Sequence, residues 1–149
     1  MAGNLIRNRK GATMVEFAIV LPLLLMVLFA IVEFSIALYD KAVITNASRE
    51  GARAGIVSQS PRVDDAVIKQ VVRNYAASYL VTFGTDTLGD EDINITPAGS
   101  RNGMPFGTNL SVTVVYRYDF LVFSKVVNFF LGGTFSPLAL TATTVMKLE

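Results

Sequence analysis

The sequence predicts an α+β protein in which a long N-terminal transmembrane helix continues into a small extracytoplasmic domain, where a second helix packs on an antiparallel sheet. Two observations predict this architecture. Residues 17–39 form an apolar run with a single charge, and later segments alternate apolar and polar residues with a period of two. A membrane helix needs about 20 residues, and the alternation is typical of strands with one buried face.

The composition favours a membrane-attached protein over a cytosolic enzyme. Hydrophobic residues make up 52% of the 149 residues and charged residues 17%, which is a high hydrophobic share for a soluble domain. The net charge of +1 argues against nucleic acid as a partner. The chain has no cysteine or histidine, which removes the usual zinc sites and most nucleophile–base pairs. We therefore expect no catalytic residue, metal or cofactor.

A basic leader precedes the apolar run. Residues 1–11 contain Arg7, Arg9 and Lys10 and no acid, whereas the remainder has ten basic and twelve acidic side chains. Positive charge before a first span favours a cytoplasmic N-terminus. We therefore predict a single-pass protein whose C-terminus is extracytoplasmic. Pro22 within the span would cost about 3 kcal/mol in a soluble helix, but such a proline is tolerated in lipid.

The residues around this junction allow three routes of processing. A secretory signal peptide could be cut after Ala37, because residues 35–37 form a small-x-small site. An uncleaved signal anchor would keep Gly11 as a linker residue and Glu16 as an interfacial charge. Cleavage between Gly11 and Ala12 would instead leave Glu16 at the fifth position of the mature chain.

Several motifs together resemble a known family. The sequence Lys10-Gly11-Ala12 followed by Glu16-Phe17 resembles a class III prepilin signal, which a prepilin peptidase cuts on the cytoplasmic side. Three longer motifs resemble the TadE-like family, whose members are minor pilins or pseudopilins of the tight-adherence (Flp) type IV pilus. They are Gly-Ala-Thr-Met-Val-Glu-Phe-Ala-Ile-Val-Leu-Pro-Leu-Leu-Leu at 11–25, Ile-Val-Glu-Phe at 31–34 and Asn-Ala-Ser-Arg-Glu-Gly-Ala-Arg at 46–53. The Thr-rich residues 141–147 are similar to the closing strand of such proteins.

The resemblance implies how the chain is processed and where it works. It implies cleavage between Gly11 and Ala12 and a place in the inner membrane, with a role in pilus assembly and surface adhesion. The implied partners are the prepilin peptidase, other pilins or pseudopilins, the inner-membrane assembly platform and the lipid bilayer. The alternative is a permanently anchored extracytoplasmic binding module that never enters a filament.

The resemblance also gives Glu16 and Phe17 a role in assembly. In pilins of this type the carboxylate that matches Glu16 pairs with the N-terminal ammonium of a neighbouring subunit. Breaking a buried pair leaves an unpaired charge at a cost of about 3–5 kcal/mol, so such a pair can enforce register.

The helix is expected to continue beyond the membrane, over residues 12–57, for about 70 Å at 1.5 Å per residue. Small residues recur at spacings of three and four between Ile44 and Gly55, which lets another backbone approach closely. This stripe packs either on the sheet of its own domain or on another subunit. The candidate helix or subunit contacts are Glu33, Arg49, Glu50, Gly51 and Arg53. Glu33 can also be interpreted as an interfacial charge that ends the apolar stretch.

Residues 58–149 are expected to form the extracytoplasmic domain. A Ser-Pro pair at 60–61 predicts a helix start, and a stripe from Val63 through Val67 and Val71 to Tyr79 predicts its apolar face to about Leu80. Strands are predicted at 93–96, 110–120 and 138–148, with a Gly/Pro-rich loop at 97–107.

Two segments of this domain could carry another function. The acidic residues Asp86, Asp90, Glu91 and Asp92 lack the spacing of an EF-hand, so we expect a solvated loop rather than a calcium site. The apolar segment 121–131 is too short for a second span, and we expect it to pack in the core, with an exposed patch for a partner as the alternative.

Overall fold

The computed structural model describes residues 9–82, 87–132 and 136–149. It confirms the α+β class, with three helices and one antiparallel sheet. The leader residues before Arg9, and Asp86 of the acidic segment, lie outside the described residues. The elements are α1 (Arg9–Ile56), α2 (Asp65–Tyr79), β1 (Ile93–Thr96), β2 (Asn109–Tyr118), α3 (Phe123–Leu131) and β3 (Leu138–Lys147).

The long helix α1 has two different halves. Its 48 residues give a length of about 70 Å. Among the described residues, this one helix is long and apolar enough to cross a membrane, and its apolar window has a mean hydropathy of 2.8 with 0% of the window buried. The C-terminal half packs on the domain, and Arg53 in its last turn complements the helix dipole.

The sheet has the strand order β1-β2-β3, with both pairs antiparallel. The register places Ile95 opposite Val112 and Val114 opposite Ala142. The alternation predicted for β2 is confirmed, because Leu110, Val112, Val114, Tyr116 and Tyr118 are all buried. This face of the sheet packs against α1 and α2 and forms the core of the domain.

The predicted start and apolar face of α2 are wrong. The helix begins at Asp65, where the Asp64 side chain accepts a hydrogen bond from the Asp65 amide at 2.8 Å. Val67 and Tyr79 of the predicted stripe are 51% and 52% exposed. The buried residues are instead Ile68, Val72 and Ala76. The two faces differ by one residue, about 100° around the helix. The buried face is the one whose Ile68 and Val72 side chains lie against Gly51 and Gly55 of α1.

The apolar segment 121–131 is not part of the core, contrary to the prediction. It forms α3, which packs beside α1, and Phe129 remains 83% exposed. A short helix with apolar residues on several sides cannot be buried completely by the single helix that it contacts. Phe123 and Val126 of α3 lie beside the apolar half of α1 rather than on the sheet.

The acidic loop is also not simply solvated. Residues Asp90–Asp92 form one 3₁₀ turn, where Asp90 pairs with Arg73 and Asp92 pairs with Arg117 at 3.1 Å. These acids have protein cations as partners. Within the described residues, no group of three or more acidic side chains comes together to hold a metal ion.

Candidate functional site

The N-terminal end of α1 presents the predicted processing and assembly residues. Gly11 is partly exposed, and every residue from Ala12 to Val20 is exposed, including Glu16. Phe17 is 62% exposed. The domain packs farther along α1, so these residues form a stem whose surface is available to lipid or to another chain.

The helix places Glu16 one turn after Ala12. If the chain began at Ala12, the new ammonium and the carboxylate would be separated by four residues, about 6 Å along the axis. The stem therefore brings an acid close to the place where cleavage would create a positive charge.

The block from Arg49 to Arg53 divides between two faces of α1. Gly51 is buried, and a Cβ atom added there would lie 2.5 Å from Cγ2 of Val72 in α2. Gly51 thus contacts its own domain and is not presented to another subunit. Arg53 and Glu50 form an ion pair at 3.7 Å, with side chains that are 73% and 45% exposed. Arg49 is exposed and donates to Oδ1 of Asn46 at 3.5 Å.

Glu33 is buried, although the sequence indicated an interfacial charge or a subunit contact. The residue is 5% exposed. Its Oε1 atom accepts a hydrogen bond from the Val122 amide at 2.5 Å, and its Oε2 atom accepts one from the Phe123 amide at 3.2 Å. Val122 precedes α3 and Phe123 is its first residue. The helix dipole favours negative charge at this end of the helix. Glu33 therefore acts as the N-terminal cap of a helix about 90 residues later in the chain.

Asp40 is a second buried acid, and the sequence gave it no role. It is 0% exposed and accepts a hydrogen bond from the Val81 amide at 3.0 Å through Oδ1. Its Oδ2 atom has no hydrogen-bond partner within the described part of the chain. Burial raises the pKa of this carboxyl, and the bond from Val81 partly opposes the rise. Asp40 lies just beyond the predicted span 17–39 and joins α1 to the segment that follows α2.

The fold and the exposed stem together define the class of protein: a membrane-anchored protein with one long apolar helix and a small α+β domain. Residues 11–53 match the model of the family described as TadE-like protein. The match begins at the predicted cleavage residue Gly11 and ends at Arg53, and it confirms the TadE-like resemblance for this segment. Neither the curated proteins nor the solved structures contain a significant match.

Proposed function

We propose that this chain is a minor pilin, or pseudopilin, of a tight-adherence type IV pilus. In this proposal residues 1–11 are a leader that a prepilin peptidase removes, residues 12–57 form the helical shaft and residues 58–149 form an extracytoplasmic domain. The mature protein lies in the inner membrane, contacts the assembly platform and other pilins, and acts in pilus assembly and surface adhesion. Its role is structural rather than catalytic.

One observation carries the proposal. The segment that matches the family model, 11–53, lies in a single helix whose N-terminal half is apolar and exposed. A filament subunit needs such a surface, because the same side chains must be covered by lipid before assembly and by neighbouring helices afterwards. The family match favours this use of the helix over that of a simple anchor.

Processing can be tested by sequencing the mature N-terminus in cells with and without the prepilin peptidase. We expect Ala12 as the first residue when the peptidase is present and the intact leader when it is absent, since the cleavable bond joins two small residues. A mature chain that keeps its leader in both strains would support the permanently anchored binding module. A chain that begins at Leu38 would indicate ordinary secretory cleavage.

Glu16→Ala tests filament entry separately from processing. We expect the variant to be cleaved normally but to accumulate in the membrane, with several-fold less protein in sheared pili, because the partner of a neighbour's N-terminal ammonium is lost. Glu16→Gln tests whether the charge itself is needed. Glu91→Ala is a control, because Glu91 is an exposed acid outside the segment 11–53 that matches the family model. Normal incorporation of both Glu16 variants would contradict the proposed pairing.

A further inference from the structure

The helix α3 lies along the apolar half of α1. Its start lies beside Glu33 of α1, whose carboxylate accepts hydrogen bonds from the Val122 and Phe123 amides. From this point α3 runs back toward the N-terminus of α1. Phe123 and Phe120 share a groove with Val27, Ala30, Ile31 and Phe34. Val126, one turn later, shares a second groove with Ile19, Pro22, Leu23 and Met26.

These contacts place α3 within the predicted membrane segment. The nine residues of α3 are about 14 Å long at 1.5 Å per residue, which is about half of the hydrocarbon core of a bilayer, about 30 Å thick. No charged residue interrupts α1 between Phe17 and Val32. The medium that surrounds this part of α1 therefore also surrounds the helix packed beside it.

The surface of α3 fits a hydrocarbon environment. Phe129 is 83% exposed on a helix that packs beside the membrane segment, so acyl chains can cover its ring. The one charged residue of α3, Lys125, is its third residue, at the end of the helix that Glu33 caps. A lysine in this position can extend its ammonium toward the headgroups.

Several backbone groups at the ends of α3 have hydrogen-bond partners, which lowers the cost of this depth. An unsatisfied backbone group in hydrocarbon costs several kcal/mol. The Glu33 carboxylate satisfies amides at the start of the helix, and at its end the Gly132 amide donates to the Asn128 carbonyl at 3.0 Å. A buried glutamate in an apolar segment thus has a structural reason to be there.

We propose that α3 is a re-entrant membrane element, which lies in the outer half of the bilayer beside α1 and has lipid acyl chains over its exposed face. This inference rests on the membrane anchoring of the proposed function, but not on cleavage or filament entry. It gives the domain a second contact with the membrane and fixes its orientation relative to α1.

Site-specific lipid quenching tests this placement in the full chain. Because the protein has no cysteine, a single cysteine can be introduced and labelled with an environment-sensitive fluorophore. Phe129→Cys reports on α3, and Leu24→Cys, at a position 61% exposed on α1, reports on the anchor. Phe106→Cys is the matched control, since Phe106 is also 83% exposed. Phe106 lies beside Gly107, which bonds to Leu148 at the opposite end of the domain.

The labelled proteins are reconstituted into phosphatidylcholine–phosphatidylglycerol vesicles with and without brominated acyl chains. We expect bromine to quench the labels at positions 24 and 129 several-fold more than the label at position 106. Quenching at position 24 with no excess at position 129 would overturn the placement of α3 and leave the anchor intact. Absence of quenching at position 24 would overturn both the anchor and the placement. Quenching by aqueous iodide at several protein-to-lipid ratios tests whether a second copy of the chain covers this face. If the label at position 129 is shielded from iodide only at high protein-to-lipid ratios, this face belongs to a contact between copies, and the lipid contact is overturned.

Discussion

Single residues of α1 set how closely the helix approaches its domain. A Cβ atom added at Gly55 would lie 2.4 Å from Cδ2 of Leu110 and 2.6 Å from Cδ1 of Ile68. Both of these side chains are completely buried, so they have little room to move aside. The small residues recognised in the sequence therefore serve contact within the chain, and Gly55 lets α1 reach both the sheet and α2.

Gly55→Ala should destabilise the domain. Overpacking costs about 1–3 kcal/mol, and the better helix propensity of alanine returns about 1 kcal/mol, so we expect a net loss of up to about 2 kcal/mol. The free energy of unfolding can be measured by urea titration of the detergent-solubilised chain. Tyrosine fluorescence reports this transition, because Tyr116 and Tyr118 are buried and tryptophan is absent.

Asn46→Ala is the control for this substitution. Asn46 is exposed on α1, so alanine there gains helix propensity without a clash, and we expect a change within about 0.5 kcal/mol. Equal stabilities of the Gly55 and Asn46 variants would show that the close approach at Gly55 has no energetic consequence.

At the scale of elements, one residue joins two helices that are distant in the sequence. Glu33 of α1 caps α3, and the hydroxyl of Tyr118, the last residue of β2, donates to the Glu33 carbonyl at 3.2 Å. The end of the sheet, the start of α3 and the middle of α1 therefore meet at this position. The position of α3 depends on this junction as well as on its apolar contacts.

Glu33→Ala should loosen the start of α3. Loss of a helix cap costs about 1 kcal/mol, so we expect about fivefold faster hydrogen exchange in peptides that contain Val122 and Phe123, because exchange follows the free energy of local opening. Glu33→Gln should have a smaller effect, since its amide oxygen can still accept one bond.

Hydrogen–deuterium exchange with mass spectrometry, on the full chain in nanodiscs, measures this effect. Glu50→Ala should leave the same peptides unchanged, because the Glu50 side chain is 45% exposed and pairs with Arg53. If the alanine variants at positions 33 and 50 gave identical exchange, the cap would have no role in holding α3.

The burial of Glu33 and Asp40 could have been predicted from their spacing in the sequence. Glu33, Ala37, Asp40, Ile44 and Ala47 follow alternating spacings of four and three along α1, and all five are buried. A helix face with this spacing continues without a break through the two acids. Extending the stripe toward the N-terminus would have placed both carboxylates against the domain, but it would not have identified the Val81, Val122 and Phe123 amides as their partners.

At the scale of the whole molecule, the two halves of α1 have different surroundings. The N-terminal half has an apolar window that is 0% buried, with α3 beside it, whereas the C-terminal half carries the sheet and α2. This division fits the filament subunit proposed above, whose apolar half would leave the lipid on assembly. The N-terminal sequencing and the Glu16 variants test the proposed cleavage and filament entry of the N-terminal half. The lipid-quenching experiment tests whether α3 lies beside that half within the membrane.

The sequence by itself determined the α+β class, the long helix, the alternation of β2 and the TadE-like signature over 11–53, because these depend on local periodicity and motif spacing. Only the tertiary structure decided the buried face of α2, the position of α3 and the partners of Glu33 and Asp40. Each of these depends on contacts between segments that are far apart in the chain. Residue patterns show that a helix has an apolar face, but the surface it meets determines which side is buried.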